Sequence, residues 1–198
     1  SDMGIAVVMP TTHLGWYTDM AQGNRYWTFI SEELPAKCRS FFKNMSDRRE
    51  DTFAAGLSMG GYGALKCALT YPEQYFGCAA FSSACDMERN FHERYIDEQR
   101  QRELQAIFGR ELQLPEKDDL FALLKKSADA PVKPKFFITC GTDDMLLPQN
   151  RSFKAAMEEL PYDLTYMEWK GDHTWEFWDK SILLALELLA DHRKKLSL

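Results

Sequence analysis

The chain has 198 residues, of which 45% are hydrophobic and 13% aromatic, and it carries a net charge of −6. This length allows one domain with a sizeable core, and the apolar content excludes a disordered protein. The acidic balance argues against nucleic acid and anionic membranes as partners, and no apolar run approaches the roughly 20 residues of a membrane-spanning helix. We therefore expect a single globular domain over residues 1–198.

The hydrophobic pattern predicts strands that alternate with helices along the chain. In chain order, the predicted strands are 5–10, 53–57, 76–82, 135–141 and 164–169, and the predicted helices are 27–42, 61–70, 150–160 and 175–196. A long, charged and helix-rich segment, residues 86–130, lies between the third and fourth predicted strands. Alternating strands and helices indicate βαβ units, so we expect an α/β protein with a mostly parallel sheet.

The turn after the second predicted strand has the sequence Gly56-Leu57-Ser58-Met59-Gly60 and matches G-x-S-x-G. In this motif, the nucleophile elbow, a serine occupies a strained strand-to-helix turn, and the glycines let strand and helix approach each other. A glycine-rich phosphate loop or an ordinary turn is the alternative, but no Gly-Lys-Ser/Thr follows. Ser58 is therefore the candidate nucleophile.

A serine hydroxyl needs an adjacent base, and the chain has four histidines. His173 directly follows the last predicted strand, where parallel-sheet enzymes place their catalytic loops. His13 is interpreted as a loop residue, His92 as part of the polar insertion, and His192 as a solvated residue in the charged tail of the last helix. His173 is therefore the candidate general base.

Two adjacent carboxylates, Asp143 and Asp144, follow the predicted strand 135–141. One of them is expected to accept a hydrogen bond from the base and to orient it. The other is expected to be a turn or helix-cap residue, and spacing alone does not choose between them. Either choice gives the chain order Ser, Asp, His that is typical of α/β-hydrolases.

The N–H of Met59, the residue after the nucleophile, is expected to be one donor of an oxyanion hole. The second donor normally comes from a loop after an earlier strand, and no such loop is recognisable in the sequence. Tyr17, Trp27, Tyr62 and Trp175 are candidate substrate-binding residues in pocket walls, with core packing as the alternative for each.

Six motifs that extend over nearly the whole chain carry a family resemblance: IAVVMP at 5–10, YTDM at 17–20, YWTFI at 26–30, GLSMGGYGALK at 56–66, CGTDD at 140–144 and GDHTWEFW at 171–178. They resemble the esterase D/S-formylglutathione hydrolase superfamily, and are closest to the bacterial tributyrin esterases. The resemblance implies an α/β-hydrolase fold, with helices on both faces of the sheet and residues 86–130 as a cap-like insertion. It also implies a catalytic triad of Ser58, Asp144 and His173 that needs no metal or organic cofactor.

The sequence differs from the family pattern at its N-terminal end. Family members carry additional N-terminal strands, one of which supplies the second oxyanion donor, whereas this chain opens close to the following strand. We therefore expect a truncated or unusually short member that lacks the usual N-terminal strands. Direct pairing of the flanking strands, a homo-oligomer or a second chain would then complete the sheet.

The resemblance implies a serine carboxylesterase that hydrolyses small-molecule esters of short-chain acids through an acyl-enzyme intermediate. An S-formylglutathione hydrolase and a carbohydrate acetyl or feruloyl esterase are the alternative enzymes. The alternative without enzymatic activity is an inactive remnant of a hydrolase that serves as a subunit or binding module.

The five cysteines are odd in number and form no Cys-x-x-Cys pair. Their expected state is buried free thiols in a reducing compartment. No signal peptide is visible, so we expect a cytoplasmic protein, although the sequence alone leaves export open.

Overall fold

A computed structural model describes residues 4–92 and 98–196 of the protein. The strands are β1 Phe53–Leu57, β2 Gly77–Phe81, β3 Lys135–Gly141 and β4 Asp163–Trp169. The helices are α1 Tyr26–Thr28, α2 Leu34–Phe41, α3 Met59–Thr70, α4 Met87–His92, α5 Glu98–Phe108, α6 Leu120–Ser127, α7 Leu147–Glu158 and α8 Trp175–Leu196. A π-helical segment, Phe29–Glu33, joins α1 to α2, and 3-10 turns occur at Arg49–Asp51 and Glu116–Asp118.

The four strands form one parallel sheet in the order β1-β2-β3-β4. Their first residues lie in register, with Phe53 opposite Gly77, Gly77 opposite Lys135 and Lys135 opposite Asp163. Parallel neighbours need crossover connections, and these are α3 between β1 and β2, α4 to α6 between β2 and β3, and α7 between β3 and β4. The predicted α/β architecture with a parallel sheet is therefore confirmed, and the in-register carboxyl ends bring the loops that follow the strands to one edge.

Strand β3 shows how the sheet separates two apolar layers, because successive side chains point to opposite faces. Phe136 and Ile138 belong to the larger cluster, which contains side chains of α3, α6 and α7. Phe137 belongs to the smaller cluster, with Phe81 of β2 and with Phe177 and Trp178 of α8. Helices thus cover both faces, and α8 forms the cover of the second face.

The insertion packs into the larger cluster, since Phe91, Leu104, Phe108 and Leu124 are all buried there. Backbone hydrogen bonds from residues 21 and 22 to the carbonyls of 107 and 106 attach the end of α5 to the loop before α1. Residues 86–92 and 98–130 therefore extend the core, and residues 93–97 of the predicted insertion lie outside the described part. None of the helices in the described residues is both long and apolar enough to cross a bilayer.

The predicted strand at 5–10 is wrong. The segment has no regular secondary structure, and residues 6–9 are exposed, with Val7 at 72% and Met9 at 87% of full exposure. A strand requires a neighbour for its backbone N–H and C=O groups, and no strand of the described residues pairs with this segment. An apolar run of this length looks like a strand in sequence, but it forms a strand only when a neighbouring strand pairs with its backbone.

Two helices differ from their predictions at proline residues. The predicted helix 27–42 is confirmed over residues 26–41, but the five residues Phe29–Glu33 form a π turn. Pro35 follows this turn and lacks the N–H that would bond to the carbonyl four residues earlier, which accounts for the wider turn. Helix α7 begins at Leu147, three residues before the predicted start, with Pro148 in its first turn, where a missing N–H carries no cost.

Candidate active site

Ser58 lies at the junction of β1 and α3 in a backbone conformation that side chains rarely adopt, with φ 53° and ψ −118°. Such a conformation costs on the order of 1–3 kcal/mol and persists only where the surroundings hold it. The Ser58 N–H donates to the carbonyl of Phe81 at 2.9 Å, and the Ser58 carbonyl accepts from the N–H of Ala84 at 3.2 Å. The end of β2 therefore holds the turn from both sides.

The motif glycines are required because backbone segments meet around this turn. A Cβ atom on Gly56 would lie 2.2 Å from the carbonyl oxygen of Gly60, so strand and helix can approach only without it. A Cβ atom on Gly61 would lie 2.1 Å from Oγ of Ser83, in the loop after β2. These distances explain the pattern of small residues that identified the turn in the sequence.

The imidazole of His173 lies between Ser58 and Asp144. Its Nε2 is 2.9 Å from Oγ of Ser58, and its Nδ1 is 2.9 Å from Oδ2 of Asp144. With the proton on Nδ1, that N–H donates to the carboxylate, and Nε2 is left to accept the hydroxyl hydrogen of Ser58. The arrangement can take a proton from the serine and stabilise the resulting imidazolium.

The carboxylate in contact with His173 is that of Asp144, whose side chain is buried, whereas Asp143 is exposed. Oδ1 of Asp144 accepts from the N–H of Leu146 at 2.8 Å, which leaves Oδ2 for the imidazole. Burial raises the pKa of Asp144, but the hydrogen bonds from His173 and Leu146 outweigh it and hold the pKa below its usual value. Asp144 therefore stays charged beside the base.

Asp144 and His173 are 29 residues apart in sequence, and they come together because the loops that carry them meet. The N–H of Thr142 donates to the carbonyl of Trp169 at 3.0 Å, and the N–H of Asp143 donates to the carbonyl of Gly171 at 2.9 Å. The start of the loop after β3 is thus bonded to the end of β4 and to the loop that follows it.

Helix α8 supports the imidazole from behind. The ring of Trp178 packs edge-on against His173, with 4.8 Å between ring centroids. Thr139 of β3 donates through Oγ1 to Oγ of Ser181 at 2.9 Å, which anchors α8 to the sheet. Trp175, at the start of α8, contacts Trp178 and is 67% exposed. The structure therefore places Trp175 on the surface beside the His173 loop.

Met59 is the first residue of α3, directly after Ser58. Amides at the first positions of a helix have no acceptor within the helix, and the helix dipole favours negative charge near them. The N–H of Met59 is therefore available to a negative oxygen that forms next to Ser58.

The other three candidate substrate-binding aromatics lie along α3. Tyr62 is fully buried, and its hydroxyl donates to the carbonyl of Asp118 at 2.7 Å, so it packs in the core. Trp27 stacks on Tyr71 with 6.0 Å between centroids, at the far end of α3 from Ser58. Tyr17 packs its ring against Gly63, so that its hydroxyl reaches the first turn of α3. Of these three side chains, that of Tyr17 contacts the first turn of α3, which directly follows the nucleophile.

The remaining histidines do not join this site. His92 is exposed on α4, and His13 is exposed in the loop before α1. His192 differs from the sequence interpretation, because it is half-buried, stacks on Phe76 with 3.8 Å between centroids and contacts the carbonyl of Glu50. The charged sequence around His192 concealed this packing against the sheet.

Sequence reasoning missed a buried ion pair between Lys66 of α3 and Asp118 of the insertion. Its signal was a lysine within the apolar run of residues 64–69, which the structure buries completely. A charge in such a run indicates a buried partner, but the sequence does not say which acidic residue supplies it.

Comparison with known proteins identifies a family model and a sequence relative. The family model described as "Putative esterase" matches residues 6–189. An acetyl esterase of Caldicellulosiruptor saccharolyticus is 32% identical over 195 residues, a match that covers 94% of this chain and 72% of that protein.

Two solved structures from Staphylococcus aureus are also similar. The fluorophosphonate-binding serine hydrolase FphF has a TM-score of 0.85 and 28% identity, and the match covers 96% of this chain and 72% of that one. The S-formylglutathione hydrolase FrmB has a TM-score of 0.78 and 28% identity, with 92% and 70% covered. These matches confirm the α/β-hydrolase fold and the resemblance to the esterase D superfamily. The chain belongs to the esterase family of carboxylic ester hydrolases.

Proposed function

We propose that the protein is a serine carboxylesterase for short-chain acyl esters, with Ser58 as nucleophile, His173 as general base and Asp144 as the residue that orients it. The observation that carries the proposal is the continuous pair of 2.9 Å contacts from Ser58 through His173 to Asp144 on a strained elbow. Nucleophile, base and orienting carboxylate within hydrogen-bond reach form the arrangement that activates a serine.

In the first half-reaction, Oγ of Ser58 attacks the ester carbonyl carbon while Nε2 of His173 takes the hydroxyl proton. The carbonyl oxygen becomes negative and accepts from the N–H of Met59. The tetrahedral intermediate then expels the alcohol, which leaves with the proton from His173. The acyl group remains as an ester of Ser58.

In the second half-reaction, His173 takes a proton from water, and the hydroxide attacks the acyl-Ser58 carbonyl. Collapse of the second tetrahedral intermediate releases the carboxylic acid and returns the proton from His173 to Ser58. Asp144 keeps its negative charge throughout and stabilises the imidazolium in both steps.

The names of the relatives and the surface beside the site support the proposed substrate class. One relative is named an acetyl esterase and a structural neighbour is named an S-formylglutathione hydrolase, and both names support short acyl groups. Exposed Trp175 provides aromatic surface for the remainder of the ester. We propose that residues 86–130 act as a cap-like insertion within the single domain.

The first experiment is pre-steady-state hydrolysis of p-nitrophenyl acetate and butyrate by the 198-residue chain, with Ser58→Ala as the control. A burst that matches the enzyme concentration and vanishes in the variant would support the acyl-enzyme. Folded protein that shows no burst and no fluorophosphonate labelling would contradict the proposal and favour an inactive binding module. S-formylglutathione and feruloyl esters, assayed in parallel, test the alternative enzymes, and turnover of the thioester alone would contradict the carboxylesterase assignment.

The state of the cysteines supports a proposal about the cellular compartment of the protein. All five cysteines are free and buried. Because unpaired thiols persist best in a reducing environment, we propose a cytoplasmic location. Gel filtration with light scattering would test the related proposal of a homo-oligomer, for which a monomeric mass would be the contrary result.

A further inference from the structure

A charged pair is fully buried behind the nucleophile. Lys66 of α3 and Asp118 of the turn Glu116–Asp118 form an ion pair, with side-chain exposures of 0% and 1%. Removing two charges from water is expensive, and apolar residues of similar volume are often as stable or more so. Oδ2 of Asp118 has no hydrogen-bond partner among the described residues, so the pair is not optimised for stability. Stabilisation of the core therefore does not account for this buried pair.

The pair joins three segments that are distant in sequence. Nζ of Lys66 donates to Oδ1 of Asp118 and to the carbonyl oxygen of Tyr17, the latter at 2.8 Å. Oδ1 of Asp118 also accepts from Oγ1 of Thr18 at 3.3 Å. The nucleophile helix, the insertion and the loop before α1 therefore converge on one ammonium group and one carboxylate.

The loop held by this pair is strained. Trp16 and Tyr17 have φ values of 49° and 50°, in the left-handed region that bulky side chains rarely enter. The hydrogen bond from Lys66 to the Tyr17 carbonyl fixes one of these peptides, and the bond from Thr18 Oγ1 to the Trp16 carbonyl, at 3.0 Å, fixes the other. Strain of this kind persists where other contacts determine the backbone.

The strained turn directs Tyr17 toward the elbow. A Cβ atom on Gly63 would lie 2.6 Å from the ring of Tyr17, so the ring rests directly on the backbone of α3. The hydroxyl of Tyr17 lies 3.5 Å from the Cβ position of Gly60, two residues after Ser58. The phenol therefore lies against the first turn of α3, the turn that directly follows Ser58.

We infer that Lys66 and Asp118 are positioning residues that hold Tyr17 against the first turn of α3, where Tyr17 forms one wall of the acyl site. The inference rests on the proposed function, since it gives Tyr17 a role in esterase turnover. Lys66 and Asp118 touch no substrate and act only through the Trp16–Tyr17 turn.

The test replaces the pair by apolar residues of similar size in the double variant Lys66→Met/Asp118→Leu, because this change removes the charges without leaving one of them unpaired. We expect the melting temperature to stay near that of the wild type or to rise. We expect kcat/KM for p-nitrophenyl butyrate to fall by about 10- to 100-fold, as a displaced active-site group would produce. Amide hydrogen exchange of residues 16–18 should become at least about 10-fold faster, while that of β3 is unchanged.

The same double substitution made in Tyr17→Ala protein distinguishes the positioning of Tyr17 from a general structural effect. In Tyr17→Ala protein, replacing the pair should change kcat/KM by less than about twofold, because residues that act through one side chain are non-additive. An equal loss with and without Tyr17 would overturn the inference. Met157→Ala, a buried truncation on α7, serves as the destabilised control and should leave both kcat/KM for p-nitrophenyl butyrate and the exchange of residues 16–18 close to the wild-type values.

The exchange measurement keeps the two proposals apart. Unchanged exchange at residues 16–18 would overturn the positioning role even in an active enzyme. Faster exchange with unchanged kcat/KM would overturn it as well, since Tyr17 would then have no part in turnover. An inactive wild-type chain would contradict the proposed function, while faster exchange would still support the control of the Tyr17 turn by Lys66 and Asp118.

Discussion

A Cβ atom on Gly141 would lie 2.2 Å from the carbonyl oxygen of Gly171. At these two residues the end of β3 lies directly against the backbone of the loop that carries His173. The contact between base and carboxylate therefore depends on a glycine three residues before the carboxylate.

Gly141→Ala is expected to separate the two loops, because the new methyl group meets backbone rather than a movable side chain. We expect kcat to fall by about 100-fold or more, since small displacements of catalytic groups have effects of this size. Burst kinetics with p-nitrophenyl butyrate measure the change. Thr142→Ala is the matched control, because Thr142 is exposed and keeps its backbone bond to Trp169. Equal activity of the two variants would contradict this account of the junction.

Asp144→Asn and Asp143→Asn form a matched pair of adjacent substitutions. The first would present a side-chain amide to the imidazole and favour the wrong tautomer, so kcat should fall by about 10,000-fold. The exposed Asp143 keeps only a backbone bond to Gly171, and its substitution should change kcat by less than about twofold. Steady-state kinetics of the two variants decide between the carboxylates. A larger loss at Asp143 would reverse the proposed roles.

The stability contributed by Asp144 is expected to depend on pH. Its pKa is held below its usual value in the folded protein by hydrogen bonds that outweigh burial. A group with a lowered folded pKa stabilises the fold above its unfolded pKa, and this contribution is lost as the pH falls through the folded pKa. The difference in unfolding free energy between wild type and Asp144→Asn should therefore be largest near neutral pH and shrink below about pH 4.

Urea unfolding at a series of pH values measures this difference. Asp143→Asn serves again as the control, because its carboxylate is exposed. A difference between wild type and Asp144→Asn that is constant from about pH 7 to below about pH 4 would contradict the lowered pKa of Asp144.

The thiols are expected to be unreactive in the folded protein. Burial raises the pKa of Cys67 to about 11, and burial together with the Asp144 charge raises that of Cys140 to about 12. Because the thiolate is the reactive form, neither should react with a disulfide reagent at about pH 8. Colorimetric titration should find these thiols only after denaturation. Rapid modification of Cys67 or Cys140 in native protein, located by mass spectrometry, would contradict the burial.

The sequence by itself determined the strands that lead to Ser58 and Asp144 and the turn that holds Ser58. The runs at 53–57 and 135–141 appear in the structure with the predicted bounds, because strand periodicity and glycine punctuation are local signals. The elbow was also predictable from the sequence. Its glycines are required by close contacts with residues near Ser58 in sequence and with the loop after β2.

Tertiary structure alone decided which side chains meet. The residue pattern left Asp143 and Asp144 open and only the family resemblance favoured Asp144, because the direction of the turn after β3 decides which carboxylate contacts His173. The apolar run at 5–10 needed a neighbouring strand and does not have one among the described residues. The pairing of Lys66 with Asp118 joins residues 52 positions apart, a contact that local sequence patterns cannot specify because packing creates it.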